Sequence, residues 1–249
     1  MAELLLFQLV APLGSFGGVA VGERRETAAR PAHSALAGFL AAALGMERAD
    51  LRQTSFAASL AFAVRCEHVG PLLADYHTAQ TPPARKGKKW ATRREELAGE
   101  VNTILSRRDY RSDCAFTIAC LTVAEPVIPP GDIAEALRRP IFALYLGRKS
   151  CPLGLPPDPQ LIEAPTLDAA FDEYDRLRQG RRPVIGWIYP AGEISVDSAF
   201  FRLGLASSDP GDKARVEKRR DMVVDRRGWR FDLRDETILV PTSIGGAAP

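Results

Sequence analysis

Residues 141–152 read IFALYLGRKSCP, and this stretch supplies the last element of the predicted fold. Its apolar half, residues 141–146, is typical of a buried strand, and Pro152 prevents a regular continuation. The strand would end in a glycine, two cations and a hydroxyl: Gly147, Arg148, Lys149 and Ser150. Backbone N–H groups, positive charge and a hydroxyl at one point suit a phosphodiester backbone. A solvated loop with two surface cations explains the same residues, so the motif alone does not decide between them.

The elements before this stretch are predicted in the order strand, helix, strand, strand, helix. The three strands are residues 3–10, 60–66 and 114–123, and the two helices are residues 34–44 and 133–138. With residues 141–146 as the fourth strand, this is the βαββαβ order of a ferredoxin-like (RRM-like) α+β fold.

Capping residues set the predicted ends of the two helices. Ser34 would cap the first helix and Gly45 would end it. Asp132 and Glu135 resemble a capping pair for the second helix, which Pro140 ends.

The connection between the second and third strands is far longer than a hairpin turn of about two to five residues. This excursion, roughly residues 79–110, opens with Pro82 and Pro83, and it predicts a projecting arm. Its central residues are basic and include one tryptophan: Arg85, Lys86, Lys88, Lys89 and Trp90. Loops of this length are usually functional or disordered.

The sequence after Pro152 predicts a second, smaller unit. Prolines at positions 156, 157 and 159 indicate a linker. Thr166 would cap a helix over Leu167–Leu177, and strands are predicted over Val184–Tyr189 and near 222–231 and 236–240. We therefore predict a ferredoxin-like domain over residues 1–152 and a small strand-rich C-terminal subdomain over residues 160–249.

Charge is distributed unevenly along the chain. The formal net charge is only +2. Residues 81–111 nevertheless carry nine basic against four acidic residues, and residues 213–230 carry eight against three. Such stripes favour a protein that grips a polyanion at defined places. Two solvated, disordered loops are the alternative.

Several other function classes find no support in the sequence. The four cysteines, Cys66, Cys114, Cys120 and Cys151, lack metal-ligand spacing, which predicts no zinc site and reduced thiols in a cytoplasmic protein. The glycine-rich segment 12–18 matches no nucleotide motif, so no cofactor is predicted. No run approaches the roughly 18 apolar residues of a membrane span, and residues 4–7 predict a first strand rather than a signal peptide.

Five segments, taken in order, resemble one known family. They are LVAPLGSFG (9–17), PAHSALAGFLAAALG (31–45), DYHT (75–78), RRDYRSDCAFT (107–117) and YLGRKSCPL (145–153). Together they resemble the CasD-type subunit, of the RAMP superfamily, of type I-E CRISPR Cascade complexes. The resemblance covers residues 1 to about 155. The remainder matches loosely, through Arg220-Asp221 and Arg227-Gly228-Trp229.

The resemblance implies a non-catalytic subunit that binds the 5′ handle of CRISPR RNA and caps one end of the complex. It implies a thumb in the long excursion that reaches the neighbouring backbone subunit. A large PAM-reading subunit would dock nearby, and target DNA would be met only within the assembled complex.

The predicted RNA-binding residues fall into four groups. Phosphate contacts are assigned to Arg107, Arg108, Arg148 and Lys149, with Ser150 beside them. Candidate stacking or base-edge contacts are Tyr76, His77 and Tyr110. The third group lies in the glycine-rich segment and consists of Ser15, Phe16 and Gly17; Phe16 either stacks on a base or plugs the sheet. The fourth group lies at the start of the first helix and consists of His33 and Ser34; His33 either touches a phosphate or completes the turn.

Two alternatives to this function stay open. Tyr76, His77 and Lys149 could serve a metal-independent endoribonuclease that processes CRISPR RNA on the same fold. A small-molecule enzyme with an incidental basic surface is the other. The chain also departs from the family in the first segment, since Gly14 and Phe16 stand where relatives have Gln and Trp, so a base contact from that Gln is absent here.

Overall fold

The structure is a computed structural model, and it describes residues 1–18, 20, 22–83, 87, 89–178, 192–206, 214–226 and 228–239. This part of the chain forms a mixed α/β fold with one large sheet. Its strands are β1 Ala2–Gly14, β2 Arg24–Arg25, β3 Leu60–His68, β4 Leu72–Thr81, β5 Asn102–Thr122, β6 Gln160–Ala164, β7 Ile194–Asp197, β8 Arg215–Asp225 and β9 Arg230–Leu239. Its helices are α1 His33–Ala43, α2 Arg52–Ala58, α3 Arg93–Glu96, α4 Pro130–Arg138, α5 Leu167–Leu177 and α6 Ser198–Arg202.

The sheet is built around β5. Its strand order is β6-β1-β5-β3-β7-β9-β8, and each neighbouring pair in this order is antiparallel. Two further strands pair with the N-terminal half of β5: β4 in antiparallel and β2 in parallel orientation. Asp113 has a positive φ of 54° and lies where β5 passes from its partner β4 to its partner β3.

Both faces of the central sheet are covered, which explains the unbroken apolar run at the start of β1. Leu5, Phe7 and Leu9 point into a core with helices α1, α2 and α4. Leu4 and Leu6 point the other way, into a second core with helices α5 and α6. The predicted strands at 3–10, 60–66 and 114–123 are confirmed within these longer elements.

Helix α1 ends as predicted but begins differently. Gly45 adopts a φ of +74°, and the N–H groups of Gly45 and Met46 bind the carbonyls of Ala42 and Ala41. This is the 5→2 and 6→1 pattern of a glycine C-cap. The Ser34 cap is wrong, because the helix begins at His33 and makes no side-chain cap bond of its own. The Asp221 carboxylate on β8 accepts the His33 N–H at 2.9 Å, so the cap comes from a distant strand.

The strand predicted at residues 141–146 is wrong, and β6 lies antiparallel on β1 instead. Ile141 and Phe142 donate their backbone N–H groups to the last carbonyls of α1, Ala43 and Ala42, at 2.9 and 3.3 Å. The Ile141 side chain is 69% exposed. Ile141 and Phe142 therefore cover the end of α1. An apolar run such as 141–146 is compatible with this role and with a buried strand, so its composition does not distinguish the two.

The remaining predictions of helices and strands succeed in part. The Thr166 hydroxyl caps α5 by accepting the Ala169 N–H at 3.3 Å, as predicted. Helix α4 begins at Pro130, so the predicted Asp132 cap is wrong, and α2 was not predicted. The strand at 184–189 lies outside the described residues. The strands near 222–231 and 236–240 are misplaced, because β8 ends at Asp225 and β9 begins at Arg230. Strands of both predicted segments, 1–152 and 160–249, share one sheet, and whether 160–249 folds separately stays a prediction.

Three basic residues of the run at 213–230 are paired with carboxylates rather than free for a polyanion. Arg215 binds Glu193 and Glu217, and Lys218 binds Asp235 at 2.9 Å. Arg219 lies inside the fold, 3.3 Å from the Glu236 carboxylate. The pattern of charges along the sequence could not show the pairs of Lys218 and Arg219, since Asp235 and Glu236 come from the neighbouring strand β9.

Arg219 belongs to a buried group of charges that we call the ion cluster: Arg30, Asp197, Arg219, Asp221, Arg234 and Glu236. Glu236 is 2% exposed and accepts from Arg30 at 2.6 Å and Arg234 at 3.2 Å, as well as from the Ser195 hydroxyl. Arg234 also binds Asp221 at 2.8 Å. The cluster thus joins the loop before α1 to strands β7, β8 and β9.

The charges around Glu236 determine its ionisation. Burial alone would raise its pKa, but the Arg219 charge, the Ser195 hydroxyl and Arg30 outweigh this and lower the pKa to about 2. Because the folded pKa lies below the ordinary value of 4.5, the stabilisation is complete above pH 4.5 and is lost as the pH falls toward 2.

We expect Glu236→Gln to destabilise the fold by about 3–5 kcal/mol, because it leaves buried arginines without their shared carboxylate. Asp235→Asn is the matched control on the same strand; its exposed pair with Lys218 should contribute less than about 1 kcal/mol. Denaturant unfolding at pH 7 measures both. A loss of less than about 1 kcal/mol of unfolding free energy for Glu236→Gln at pH 7 would contradict the assigned role. Between pH 4.5 and pH 2, the variant should lose less stability than the parent, because it lacks the carboxylate that becomes protonated.

Candidate nucleic-acid interface

Strand β4 and the first half of β5 form a two-stranded ribbon, which we call the arm: residues 72–111. The register runs from Leu72 opposite Arg111 to Thr81 opposite Asn102. Opposed residues project from the same side and neighbours from opposite sides, so the ribbon has two distinct faces. The excursion predicted at 79–110 thus begins earlier, and its two ends are regular strands.

The first face, which we call the Tyr76 face, presents an aromatic ring beside cations. Tyr76 is 67% exposed and lies directly opposite Arg107. Arg24 on β2 is the parallel neighbour of Arg107 on its other side. The Arg24 guanidinium donates to the buried Asp109 carboxylate at 3.0 Å, and this bond raises the pKa of Arg24. The Asp109 charge offsets one cation here and leaves the exposed Arg107 available.

The opposite face, which we call the His77 face, carries Asp75, His77 and Arg108. The His77 Nδ1 lies 2.7 Å from the Asp75 carboxylate, and Arg108 is the cross-strand partner of Asp75. The adjacent predicted residues Tyr76 and His77 therefore cannot contact the same nucleotide from one side. Arg107 and Arg108 are separated in the same way.

The root of the arm brings together residues that are far apart in sequence. The Arg148 guanidinium lies 4.6 Å from the centre of the Tyr110 ring. It also donates to the backbone carbonyls of Asp109 at 3.1 Å and Arg25 at 3.0 Å. Arg148 therefore lies against the 107–111 segment, and it comes from a loop and not from the predicted fourth strand. Arg148 thus ties β2 to β5, while its unused N–H groups keep donor capacity.

A close backbone contact fixes this loop. Ser15 donates its N–H to Leu146 and its hydroxyl to the Asp109 carbonyl. Gly147, at a φ of +88°, packs so closely that a Cβ there would lie 1.7 Å from the Ser15 carbonyl oxygen. Lys149 and Ser150 follow on the surface. The predicted residues Ser15, Arg148, Lys149 and Ser150 therefore converge at the root of the arm.

Other predicted residues are placed inside the fold. Phe16 is buried and packs edge-on against Phe116, which favours the plug over a base contact. His33 is also buried; its Nε2 bonds the Leu60 carbonyl at 2.9 Å, and burial lowers its pKa. Tyr110 is buried beneath Arg148, which favours support of the cation over base stacking. Gly17 is exposed and Ser34 half-buried.

The tip of the arm is described only in part. Arg85, Lys86 and Lys88 lie outside the described residues. Lys89 is exposed and Trp90 is half-buried. The short helix α3 is capped by the Thr92 hydroxyl, and Arg93 donates to the Gln80 carbonyl, which fixes the helix against the end of β4.

Sequence reasoning missed Arg24 and Arg25. They lie in β2, where they pair with Arg107 and Arg108. Two adjacent arginines after the glycine-rich segment were the available signal, but only the parallel pairing shows that four arginines meet there. The described residues contain no group of acidic, histidine or cysteine side chains suited to a metal ion. All four cysteines are free and buried. No helix in the described ranges has the length and apolarity to cross a membrane.

Comparison with known proteins gives one consistent relationship. A family model described as CRISPR-associated protein (Cas_Cas5) matches residues 4–240. The CRISPR system Cascade subunit CasD of Escherichia coli (strain K12) is 30% identical over 159 residues, which are 63% of this chain and 70% of that protein.

Solved structures share the fold. A chain of a CRISPR RNA-guided surveillance complex has a TM-score of 0.61 and 24% identity, over 95% of this chain and 89% of that chain. A second structure, described as a Cas protein, has a TM-score of 0.57 and 23% identity, over 95% of each chain. At these identities the likeness concerns the fold alone.

We expect Gly147→Ala to destabilise the protein by about 3 kcal/mol or more, because the added methyl overlaps the Ser15 carbonyl and the residue must keep a positive φ. Gly131→Ala is the control, since its Cβ in α4 meets nothing within 4 Å and alanine favours a helix. Thermal and denaturant unfolding compare the two. Equal stability of both variants would show that the 145–152 loop adapts without cost.

Proposed function

We propose, from the premise that this chain belongs to the Cas5 family of CRISPR-associated proteins, that it is the Cascade subunit that holds the 5′ handle of CRISPR RNA. The observation that carries the proposal is the Tyr76 face of the arm. It combines an exposed aromatic ring with an opposed, exposed arginine on a two-stranded ribbon. Single-stranded RNA is held by such combinations of phosphate neutralisation and base stacking.

The fold supports the same reading. The sheet order β6-β1-β5-β3 with α1 and α4 as connecting helices fits a ferredoxin-like βαββαβ unit, with β6 in place of residues 141–146 as its last strand. In this interpretation the arm is the thumb of the family, inserted between the second and third strands of the unit. The RNA would run from the Tyr76 face across the root, past Arg148, Lys149 and Ser150.

We infer that this subunit is not a nuclease. A metal-independent ribonuclease needs a base and an acid placed about one scissile phosphate. Tyr76 and His77 point to opposite faces of the ribbon, and His77 bonds Asp75. Such a pair supports binding on two sides rather than joint proton transfer.

The partners follow from the CasD relationship. CRISPR RNA, the backbone subunit and the large PAM-reading subunit would contact this chain, and target DNA would meet it only in the complex. Strand β4 pairs with β5 alone among the described strands, so the arm offers a free strand edge for a neighbouring subunit. We place the protein in the cytoplasm, where the buried thiols stay reduced.

We expect Arg107→Gln to weaken binding of a repeat-derived handle RNA and to lower the slope of log K against log salt by about 0.7, the value for one lost phosphate contact. Tyr76→Ala should cost about 1–3 kcal/mol of binding without changing the slope, because it removes stacking rather than charge. Arg176→Gln on α5, an exposed cation paired with Glu173, is the charge-matched control.

Fluorescence anisotropy over a salt series measures these effects, and a gel of the same samples, with EDTA or Mg²⁺, checks for cleavage. Binding of Arg107→Gln and Tyr76→Ala equal to that of Arg176→Gln would refute the site. Specific cleavage that disappears in His77→Ala would instead support the nuclease alternative.

We expect the tip of the arm to be dispensable for folding but necessary for assembly. Replacing residues 82–101 by Asn-Gly keeps the last pair of the ribbon, Thr81 with Asn102, and a two-residue turn suits antiparallel strands. The shortened protein should melt cooperatively within a few degrees of the parent. Co-expressed with its partner subunits, it should yield little RNA-loaded complex, because the cations of the tip are missing.

A second variant, with residues 82–101 replaced by a Gly-Ser segment of equal length, separates length from chemistry. It should fail in assembly like the shortened protein if the basic side chains matter. Normal yield of complex from both variants would refute a role for the tip in assembly.

A further inference from the structure

A second aromatic group with cations lies away from the arm, at the turn between β8 and β9. Trp229 is 53% exposed and holds a positive φ of 52°. The guanidinium carbons of Arg48 and Arg226 lie 4.7 and 4.9 Å from the centre of its ring. Arg48 comes from the loop between α1 and α2, so two distant segments converge on one indole.

Neither of these two cations has an acidic partner among the described residues, unlike several other cations of the β8–β9 hairpin. Arg215, Lys218, Arg219 and Arg234 each form an ion pair. Among the residues that the structure describes, no carboxylate lies within salt-bridge distance of Arg48 or Arg226. The hairpin thus neutralises its inner arginines and leaves a pair of like charges around the exposed tryptophan.

Arg226 is partly withdrawn from solvent without compensation. Its Nε is buried and has no hydrogen-bond partner in the described structure. Burial, together with the nearby Arg48 charge, lowers the pKa of Arg226. Burying a cation partly, beside a second cation, costs free energy unless an anion or a water molecule binds it.

A small cleft beside Arg226 gives access to this cation. Helix α1 contributes Ser34, Ala37 and Gly38, and the cleft has room for about one water molecule. The Arg226 Nη2 lies against Gly38, where a Cβ would approach to 3.3 Å. The small residues of α1 let the guanidinium approach the helix, and the Ser34 hydroxyl supplies a donor beside it.

We propose that Trp229, Arg48 and Arg226 form a second binding site for single-stranded nucleic acid, in which a base stacks on the exposed indole and the guanidinium groups hold the adjacent phosphate. A planar guanidinium matches phosphate in two-point contacts, and an indole accepts any base by stacking. An acidic protein segment would satisfy the charges but would make no use of the part of the ring that stays exposed. The site shares no residue with the arm, so it stands independently of the proposed handle site.

Anisotropy of a fluorescein-labelled U12 RNA, measured over a salt series with the full chain, tests this proposal. Arg48→Gln should weaken binding several-fold and reduce the salt slope by about 0.7. Trp229→Ala should weaken it about 5- to 100-fold, while Trp229→Phe should retain part of the affinity. Arg52→Gln is the matched control, since this nearby exposed arginine pairs with Asp50. Arg48 and Trp229 are exposed, and a melting curve of each variant verifies folding.

Photocrosslinking with a 5-iodouracil oligonucleotide gives a direct readout, and the crosslinked peptide should contain Trp229. Absence of this crosslink, with Arg48→Gln and Trp229→Ala binding like Arg52→Gln, would overturn the proposal. If Arg107→Gln still weakens RNA binding in that case, the proposed handle site is supported and only the Trp229 site is refuted. If Arg48→Gln and Trp229→Ala weaken binding but Arg107→Gln does not, only the handle site is refuted. Binding of a glutamate-rich octapeptide that depends on Arg48, without any nucleic-acid effect, would also overturn it.

Discussion

The rest of the sheet depends on β5, a 21-residue strand whose backbone groups bond to different partners along its length. Its C-terminal half lies between β1 and β3. Its N-terminal half pairs with β4, and β2 lies on its other side at Arg107 and Arg108. The arm is therefore a continuation of the core strand rather than a loop attached to it. A shift in register within the core would pass directly to Arg107 and Tyr110.

The two halves of the protein use charge in different ways. In the ion cluster, arginines are matched by Asp221, Glu236 and Asp197, and their role is to hold elements together. At the root of the arm, Arg148 is held by carbonyl groups and an aromatic ring, which position it without cancelling its charge. Whether an arginine is paired with a carboxylate or only positioned by carbonyl groups distinguishes structural cations from candidate binding cations better than local net charge does.

The sequence was sufficient for several elements with a local signal, although the local signal for the Asp132 cap was wrong. The strands at 3–10, 60–66 and 114–123, the Gly45 helix end and the Thr166 cap all follow from neighbouring residues. It failed where a partner far away in sequence decides: Ile141 covers a helix end, Asp221 replaces Ser34 as the cap, and Arg219 meets Glu236. Arg148, predicted at the end of a fourth strand, reaches the arm from a loop instead. Arg24 and Arg25 were missed because only strand pairing reveals them.

The capping of α1 by Asp221 has a consequence for the order in which the protein can be completed during synthesis. The two bonded residues are 188 positions apart. At ribosomal rates of roughly 5–20 residues per second, the start of α1 waits roughly 10–40 seconds for the carboxylate that completes it. Arg30 waits still longer for Glu236. Until β8 and β9 have been synthesised, the nascent N-terminal half is thus an unfinished structure with an uncapped helix and an unpaired Arg30.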